Sequence, residues 1–109
     1  MKRKLIIKAY ADLDAAGHYE YLLERNAVAA ARFRQGVKAA YNRIRVGYAS
    51  CPTLALPEYQ HLDLRFCRVQ GFDSYFVIFQ VVDDALFAVR VLHSSQDTAS
   101  ALRGTLPSK

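Results

Sequence analysis

Two long, mainly apolar runs lie in the second half of the chain, residues 75–82 and 86–93, and Asp83-Asp84 separates them. Runs of this length that are rich in Val, Ile and Phe predict β-strands covered on both faces, and the two aspartates predict a turn. A shorter run, Leu64–Val69, precedes a turn at Gly71-Phe72-Asp73. The three runs therefore predict an antiparallel meander.

The beginning of the chain predicts one short strand followed by one helix. Lys4–Ala9 alternates with the period of a strand. Asp12 is predicted to cap a helix that ends near Arg25, and Asp14 places a negative charge in its first turn, where the helix dipole favours it. The side chains predicted to face the core follow a helical period: Leu13, Ala16, Tyr19 or Glu20, Leu22 and Leu23.

A second helix is predicted over Ala27–Val46, with Asn26 as its N-cap. Its apolar positions recur every three or four residues: Ala30, Phe33, Val37, Ala40 and Ile44. The opposite face has five cations: Arg32, Arg34, Lys38, Arg43 and Arg45. Because the break between the two helices is tight, they are predicted to form an antiparallel helical hairpin.

The remaining segments predict a surface connection and a short terminal helix. Residues 47–63 lose all periodicity and contain Pro52 and Pro57. Residues 94–102 predict a helix capped by Ser94 or Ser95. The fold class is therefore α+β in one domain, residues 1–109, with an N-terminal strand, a helical hairpin packed on a mainly antiparallel sheet of about four strands, and a short C-terminal helix.

Composition excludes several classes of protein. The 109 residues are 52% hydrophobic, which is enough for a packed core. No apolar run approaches the roughly 20 residues of a membrane span, and Leu5-Ile6-Ile7 is too short for a signal-peptide core, so we expect a cytoplasmic protein without a membrane partner. Cys51 and Cys67 are expected to be reduced thiols, and no metal-ligand spacing or cofactor motif is present.

The charge balance is basic, with 15 Lys and Arg against 10 acidic residues and a formal net charge of +5. Such an excess favours an acidic partner, either a nucleic acid or an acidic protein segment. It is equally compatible with a cation excess that only keeps the protein soluble.

Several short motifs occur in an order that resembles the RelE/ParE superfamily of bacterial toxins. They run from Ala11-Asp12-Leu13 and Ala31-Arg32-Phe33 through Leu64-Arg65 and residues 75–79 to the stretch from Arg90 to Asp97. The last stretch most resembles the ParE branch. The resemblance spans residues 5–102.

The resemblance implies a compact toxin of a type II toxin–antitoxin pair, inactive while a flexible segment of its antitoxin wraps over its helices and sheet. ParE members poison DNA gyrase, whereas RelE members cut messenger RNA in the ribosomal A site. Because both branches share the fold, the fold alone does not choose between these targets. ParE-like toxins also imply a complex of two toxins and two antitoxins, or a larger one.

Arg65 and His93 are the candidate catalytic residues if the chain is a nuclease. Arg65 matches the strand arginine that helps to hold the scissile phosphate in the nuclease branch, but it could equally form a salt bridge with Asp63, Glu58 or Asp73. His93 could act as an acid or base near neutral pH, or could simply be bonded to backbone at a strand end.

Further candidates are assigned to target or antitoxin binding. Strand alternation places Arg90 on one face with Leu86, Ala88 and Leu92, and His93 on the opposite face. The charge of Arg90 must then contact water, a partner such as an acidic antitoxin segment or a target, or a carboxylate on the neighbouring strand. The complete set of predicted binding residues is Arg43, Arg45, Tyr48, Arg65, Arg68, Arg90 and His93.

The segment after the last strand departs from the nuclease branch. That branch commonly has an Arg and a Tyr or His just beyond the last strand, whereas residues 94–100 contain no Tyr and the next cation is Arg103. Arg65 and His93 alone are then too few groups to form both an acid–base pair and a phosphate clamp. We therefore expect a ParE-like toxin that acts by binding gyrase; a ribosome-dependent endoribonuclease and an inactive homologue serving as a binding module are the alternatives.

Overall fold

The computed structural model describes residues 3–107 and confirms the α+β architecture. Two 3₁₀ turns, Tyr48–Ser50 and Pro57–Tyr59, interrupt the connection between the helical hairpin and the meander. The strands and helices are β1 Lys4–Ile7, α1 Ala9–Leu23, α2 Ala27–Gly47, β2 Asp63–Val69, β3 Phe72–Val82, β4 Ala85–His93 and α3 Thr98–Arg103.

The four strands form one sheet in the order β1-β4-β3-β2. The pairs β2–β3 and β3–β4 are antiparallel, as the meander predicted, while β1 runs parallel to β4 at the edge. β3 and β4 are therefore the central strands, and this position explains their nearly continuous apolar sequences.

Each face of the sheet has its own hydrophobic core. On one face, Val77 and Phe79 of β3 pack with Phe33 and Ile44 of α2. On the other face, Ile78 of β3 packs in a smaller cluster that also contains buried side chains of the second 3₁₀ turn, β2, β4 and α3, namely Tyr59, Leu64, Val89, Leu92 and Leu102. The sheet thus lies between the helical hairpin and a thinner layer.

Helix α2 follows its prediction closely. Asn26 caps it by accepting hydrogen bonds from the backbone N–H groups of Val28 and Ala29 at 3.0 and 3.1 Å. All five predicted apolar positions are buried, and Gly36 is buried with them. A Cβ at Gly36 would lie 2.4 Å from the carbonyl oxygen of Gln70, so this glycine allows the helix to lie directly against the β2–β3 turn.

Helix α1 departs from its prediction at both its start and its buried face. Asp12 is not the cap: the chain enters the helix directly from β1, with Lys8 at the N-cap position. Asp12 therefore lies in the first turn, and Asp14, which was predicted there, lies in the second. Leu13 is 68% exposed and Leu23 is 45% exposed, so the predicted stripe was wrong there. The only fully buried side chain of the helix is Ala11, because the helix is rotated toward a second apolar stripe: Ala11, Ala15, Tyr19 and Leu22.

Three smaller boundaries also differ from prediction. β1 ends at Ile7 because helix α1 already begins at Ala9. β3 begins at Phe72, because the preceding turn ends at Gly71, which has a φ of +84°. Phe72 and Asp73, which were predicted to belong to the turn, are part of the strand. Helix α3 is capped by Asp97, which accepts from the N–H of Ser100 at 3.2 Å, and not by Ser94 or Ser95.

A β-bulge changes the alternation in β4. Ala88 lies opposite Phe79 but Arg90 lies opposite Ile78, so Val89 is the extra residue. Because directly opposed residues share a face, Arg90 lies on the face away from the helical hairpin. The prediction that Arg90 shares a face with Leu86 and Ala88 was therefore wrong.

The outer edge of β4 is covered in two different ways. β1 pairs with residues 85–88 only. Beyond that point side chains of α1 bond the strand: Asp14 accepts from the N–H of Val91 at 3.0 Å, and His18 Nε2 donates to the Val91 carbonyl at 2.9 Å.

Within residues 3–107, no helix is both long and apolar enough to cross a membrane.

Candidate functional site

Arg65 holds the connection after α2 against strand β2. Its Nε donates to Asp63 Oδ1 at 3.0 Å, which is one of the salt bridges that the sequence allowed. Its Nη1 donates to the carbonyl oxygens of Ala49 and Cys51 at 3.3 and 3.2 Å. Two sides of the guanidinium are thus bonded to the protein itself.

Arg90 joins helix α1 to helix α3. It makes a two-pronged contact with Asp14, at 2.7 Å from Nε and 2.9 Å from Nη2. Its Nη1 donates to the Ala101 carbonyl at 3.0 Å and to Thr105 Oγ1 at 3.1 Å. The hydrogen bond to Asp14 raises the pKa of Arg90 further above its usual value, against the opposing effect of burial.

The sequence had suggested a carboxylate partner for Arg90 on the neighbouring strand. The partner, Asp14, comes instead from helix α1. The open edge of β4 explains the difference, because β1 is too short to reach Arg90 and α1 passes over the uncovered residues. This Asp14–Arg90 pair is largely enclosed, with about 15% of each side chain exposed.

His93 is bonded to the turn that follows β4. Its Nδ1 accepts from the backbone N–H of Ser95 at 3.0 Å and lies 2.8 Å from the Ser95 hydroxyl. Its backbone N–H donates to Gln96 Oε1 at 2.8 Å. The ring packs edge-on against Tyr75 with 4.7 Å between centroids. This is the geometry of a histidine bonded to backbone at a strand end.

The structure does not bring Arg65 and His93 together. Arg65 lies opposite Phe79 and His93 lies opposite Tyr75, on strands that flank β3 from the two sides. With spacings of about 4.8 Å between strands and about 3.3 Å per residue, their Cα atoms are roughly 16 Å apart. The two side chains are also turned toward different local partners.

Arg43 and Arg68, in contrast, line the same two small cavities. Both line two adjoining cavities of about 220 and 230 Å³ between α2 and β2. Arg68 donates to the Asp73 carbonyl at 2.7 Å, whereas Arg43 is exposed and extends from α2. These two residues form the part of the predicted binding set that the fold assembles.

Tyr48 belongs to a different cluster from Arg45. The Tyr48 ring lies 4.7 Å from the guanidinium carbon of Arg3 and 5.6 Å from that of Arg65, and its hydroxyl accepts a hydrogen bond from Arg3. Arg45 instead donates to Asn42 Oδ1 at 2.9 Å on the exposed side of α2. The predicted cluster of Arg43, Arg45 and Tyr48 is thus divided between two surfaces.

The strongest charge asymmetry lies between the two helices of the hairpin. Helix α2 has no acidic residue, and its five cations are exposed and form no salt bridge within residues 3–107. We call this surface, Arg32, Arg34, Lys38, Arg43 and Arg45, the basic face of α2. Helix α1 has three acidic residues and neither Lys nor Arg: Asp12, Asp14 and Glu20.

A groove of about 560 Å³ separates the two helices on their outer side. We call it the interhelical groove; its floor includes Ala15, Tyr19 and Val37, and charged side chains of both signs rim it, among them Glu20 and Arg34. Beside it α1 exposes further apolar side chains: Tyr10, Leu13, Tyr21 and Leu23. Sequence reasoning missed this surface, although the two apolar stripes of α1 were a signal that one of them would stay uncovered.

Comparisons with known proteins agree with this architecture. Residues 5–98 match the family model described as ParE toxin of type II toxin-antitoxin system, parDE. Among solved structures, one titled "Chromosomal ParDE TA system from P. aeruginosa" superposes with a TM-score of 0.68 at 13% sequence identity, covering 84% of this chain and 96% of that one. No curated protein sequence matches the chain.

At 13% identity the structural likeness concerns the fold, and it agrees with the resemblance to the RelE/ParE superfamily. The family match extends from β1 to the first residue of α3, which is most of the chain. This chain belongs to the ParE toxin family of type II toxin–antitoxin systems.

Proposed function

We propose that this toxin arrests growth by binding DNA gyrase in the cytoplasm, and that a cognate antitoxin neutralises it. Family membership supports the toxin role, and the P. aeruginosa structure is by its title a ParDE toxin–antitoxin system. The antitoxin and gyrase are the partners that the ParE resemblance implies. We further propose the two-toxin, two-antitoxin complex that the resemblance implies.

The two candidate catalytic residues already form hydrogen bonds within the protein. This observation favours binding over RNA cleavage. Arg65 bonds Asp63 and two backbone carbonyls, and Nδ1 of His93 accepts from backbone. A ribonuclease needs a free base and a phosphate clamp within hydrogen-bond reach of one substrate. Residues about 16 Å apart on two strands do not meet that requirement.

Two surfaces suit two partners of different chemistry. The interhelical groove and the exposed apolar side chains of α1 suit an antitoxin segment with an apolar side, because such a segment would cover surface that water now contacts. The basic face of α2 suits the gyrase–DNA complex, whose phosphates are polyanionic. We assign the partners in that way.

The direct test is a plasmid assay with purified toxin, gyrase and ATP. We expect linear DNA to accumulate as trapped cleavage complex, and supercoiling to fall. Normal supercoiling together with normal cleavage would contradict the proposal. In cells, induction should produce double-strand breaks and an SOS response while transcripts remain intact.

Charge reversal separates the assigned surface from a general loss of charge. The double variant Arg43→Glu, Arg45→Glu, at two exposed residues of α2 outside the interhelical groove, should reduce trapping by at least about tenfold, since two phosphate contacts would be lost. The matched control is the double variant Lys4→Glu, Lys8→Glu. It reverses the same number of charges at two exposed lysines near the N-terminus and should retain trapping.

Two outcomes would replace this proposal by an alternative. Codon-linked cuts in messenger RNA that disappear in Arg65→Ala or His93→Ala would indicate a ribosome-dependent endoribonuclease. Growth that is unaffected by strong expression without antitoxin would indicate an inactive homologue. Light scattering of the co-expressed toxin and antitoxin checks the proposed stoichiometry.

A further inference from the structure

Two free thiols lie side by side in the core next to the helical hairpin. Cys51 follows the 3₁₀ turn Tyr48–Ser50 and Cys67 lies in β2; they are 3% and 5% exposed. The backbone of Cys51 is extended, with φ −81° and ψ 139°. The connection therefore runs beside β2 as a strand at this point.

The backbone register places the two cysteines opposite each other. Thr53 forms an antiparallel bridge with Arg65, and two hydrogen bonds flank it: Leu54 N–H to Leu64 O at 2.8 Å and Phe66 N–H to Pro52 O at 3.1 Å. Bonds on both sides identify Thr53 and Arg65 as a non-hydrogen-bonded pair. Cys51 lies two residues before Thr53, and Cys67 lies two residues after Arg65. Continuing the same antiparallel register therefore brings the two cysteines opposite each other, at the next non-hydrogen-bonded position.

This position suits a disulfide. Residues in a non-hydrogen-bonded antiparallel pair have Cα atoms about 4.5 Å apart, which is within the range of about 4.4–6.8 Å that disulfides span. Arg65 also fixes the backbone of Cys51 through the bond to its carbonyl at 3.2 Å. The backbone separation typical of this position thus lies within the range that a disulfide spans.

The electrostatics of Cys67 agree with a close sulfur neighbour. Burial raises the pKa of its thiol to about 11, with the adjacent Cys51 thiol acting in the same direction and Arg43 acting against both. Cys51 and Cys67 also line one cavity of about 220 Å³, together with Arg43 and Arg68. Because the raised pKa keeps the Cys67 thiol mostly protonated near neutral pH, we expect exchange to be slow there and faster in alkaline buffer.

We propose that Cys51 and Cys67 are a site of reversible oxidation, forming an intramolecular disulfide by exchange with a low-molecular-weight disulfide of the glutathione type. One cysteine thiolate attacks the reagent, forming a mixed disulfide and releasing one reduced thiol. The second cysteine thiolate attacks the mixed disulfide and releases the other. Two electrons reduce the S–S bond of the reagent, and the two cysteine protons end on the released thiols.

The bond would restrain the connection between α2 and β2. It would close a loop over residues 51–67, which contains Pro52, Pro57 and the 3₁₀ turn Pro57–Tyr59. Closing such a loop restricts the unfolded chain more than the folded one. Oxidation would therefore make the toxin more resistant to heat and to proteolysis without changing its fold. This inference does not depend on the identity of the toxin's target.

The test uses the full-length reduced chain in buffers with increasing ratios of glutathione disulfide to glutathione. We expect a loss of two hydrogens in the intact mass, a non-reducing peptide map that links Cys51 to Cys67, and a melting temperature higher by on the order of 10 °C. Dithiothreitol should reverse all three. The variants Cys51→Ser and Cys67→Ser should show no oxidant-dependent change in melting temperature.

Other outcomes would overturn the proposal. These are a stable glutathione adduct on one cysteine, a disulfide-linked dimer, or oxidation that occurs only after the chain is unfolded in urea. A wild-type disulfide that leaves the melting temperature and the protease half-life unchanged would overturn its stabilising role. Because each of these readouts is made on the wild-type chain, a poorly folding variant does not obscure the result.

Discussion

The two helices of the hairpin attach to the same sheet by different physical means. Helix α2 buries six residues, with Phe33 and Ile44 fully enclosed. Helix α1 buries only Ala11 and is joined to β4 by polar bonds from Asp14 and His18 to the two backbone groups of Val91. Apolar packing thus fixes α2, whereas α1 combines a half-buried apolar stripe with a few directional bonds.

The comparison shows how one hairpin can serve both stability and recognition. A helix held by apolar burial has less apolar surface left for a partner: the large apolar side chains that α2 exposes are Val28 and Val46, at its two ends, and its outer surface between them is cationic. A helix held by polar bonds leaves apolar side chains uncovered, as Tyr10 and Leu13 are in α1. In the proposed function, α1 faces the antitoxin for this reason.

The largest expected effect comes from removing the main anchor of α2. Phe33→Ala should lower the free energy of unfolding by about 3–5 kcal/mol, because the ring is 1% exposed and packs edge-on against Tyr75 and Phe72. Leu13→Ala on α1 should change it by less than about 0.5 kcal/mol. Urea unfolding followed by circular dichroism measures both, and equal effects would refute the contrast between the helices.

The polar attachment of α1 is tested at Asp14. Asp14→Ala leaves the Arg90 guanidinium and the Val91 N–H without their partner, so we expect a loss of about 2–3 kcal/mol. Asp14→Asn should lose less, since the amide oxygen can still accept from Val91. Hydrogen exchange should show faster exchange at Val91 in the alanine variant; an unchanged rate there would mean that α1 is held by packing after all.

The interface between the helices should respond to alkaline pH through Tyr41. Burial, followed by the negative charges of Asp12 and Asp14, raises the pKa of Tyr41 to about 12. Since the folded state favours the neutral phenol, this contribution to stability is complete below about pH 10 and is lost between about pH 10 and pH 12. With a discount for partial exposure, we expect a loss of about 1 kcal/mol.

The control for this pH dependence is Tyr41→Phe, which cannot ionise. Its stability should fall less steeply than that of the wild type between pH 10 and pH 12. Parallel curves would mean that other groups account for the alkaline loss. Cys67, whose pKa is raised to about 11, titrates in an overlapping range, so both curves should be measured on a Cys67→Ala background.

The smallest expected effect is a gain in stability at Gly17. This residue lies inside α1, and a Cβ there would meet nothing within 4 Å. Gly17→Ala should therefore raise the free energy of unfolding by about 0.5–1 kcal/mol. Gly36→Ala in α2 is the contrasting control and should lower it, because its Cβ would collide with the Gln70 carbonyl. Thermal unfolding of both variants provides the comparison.

The sequence predicted the elements of the fold better than their contacts. Helix α2 could be placed because its apolar period and the Asn26 cap agree with each other. The Asp14–Arg90 pair could not, since it depends on β1 being too short to cover β4 and on the bulge at Val89 that turns Arg90 to the other face. Both are properties of the assembled sheet and have no local signal.

The same limit applies to the candidate site. The resemblance to the RelE/ParE superfamily identified Arg65 as a candidate residue, and its bond to Asp63 was among the predicted alternatives. Its contacts with the Ala49 and Cys51 carbonyls arise only when the irregular connection folds back beside β2. Residues 47–63 have no periodicity from which that path could be derived.

The closed edge of β4 has a consequence for the behaviour of the chain at high concentration. A strand edge with unpaired N–H and C=O groups is a template on which the strands of other molecules can add. Asp14 and His18 occupy both groups of Val91, and Gln96 occupies the N–H and C=O of His93. The outer edge of β4, one of the most apolar strands in the sequence, therefore offers no free backbone group at Val91 or His93 to which a strand of another molecule could pair.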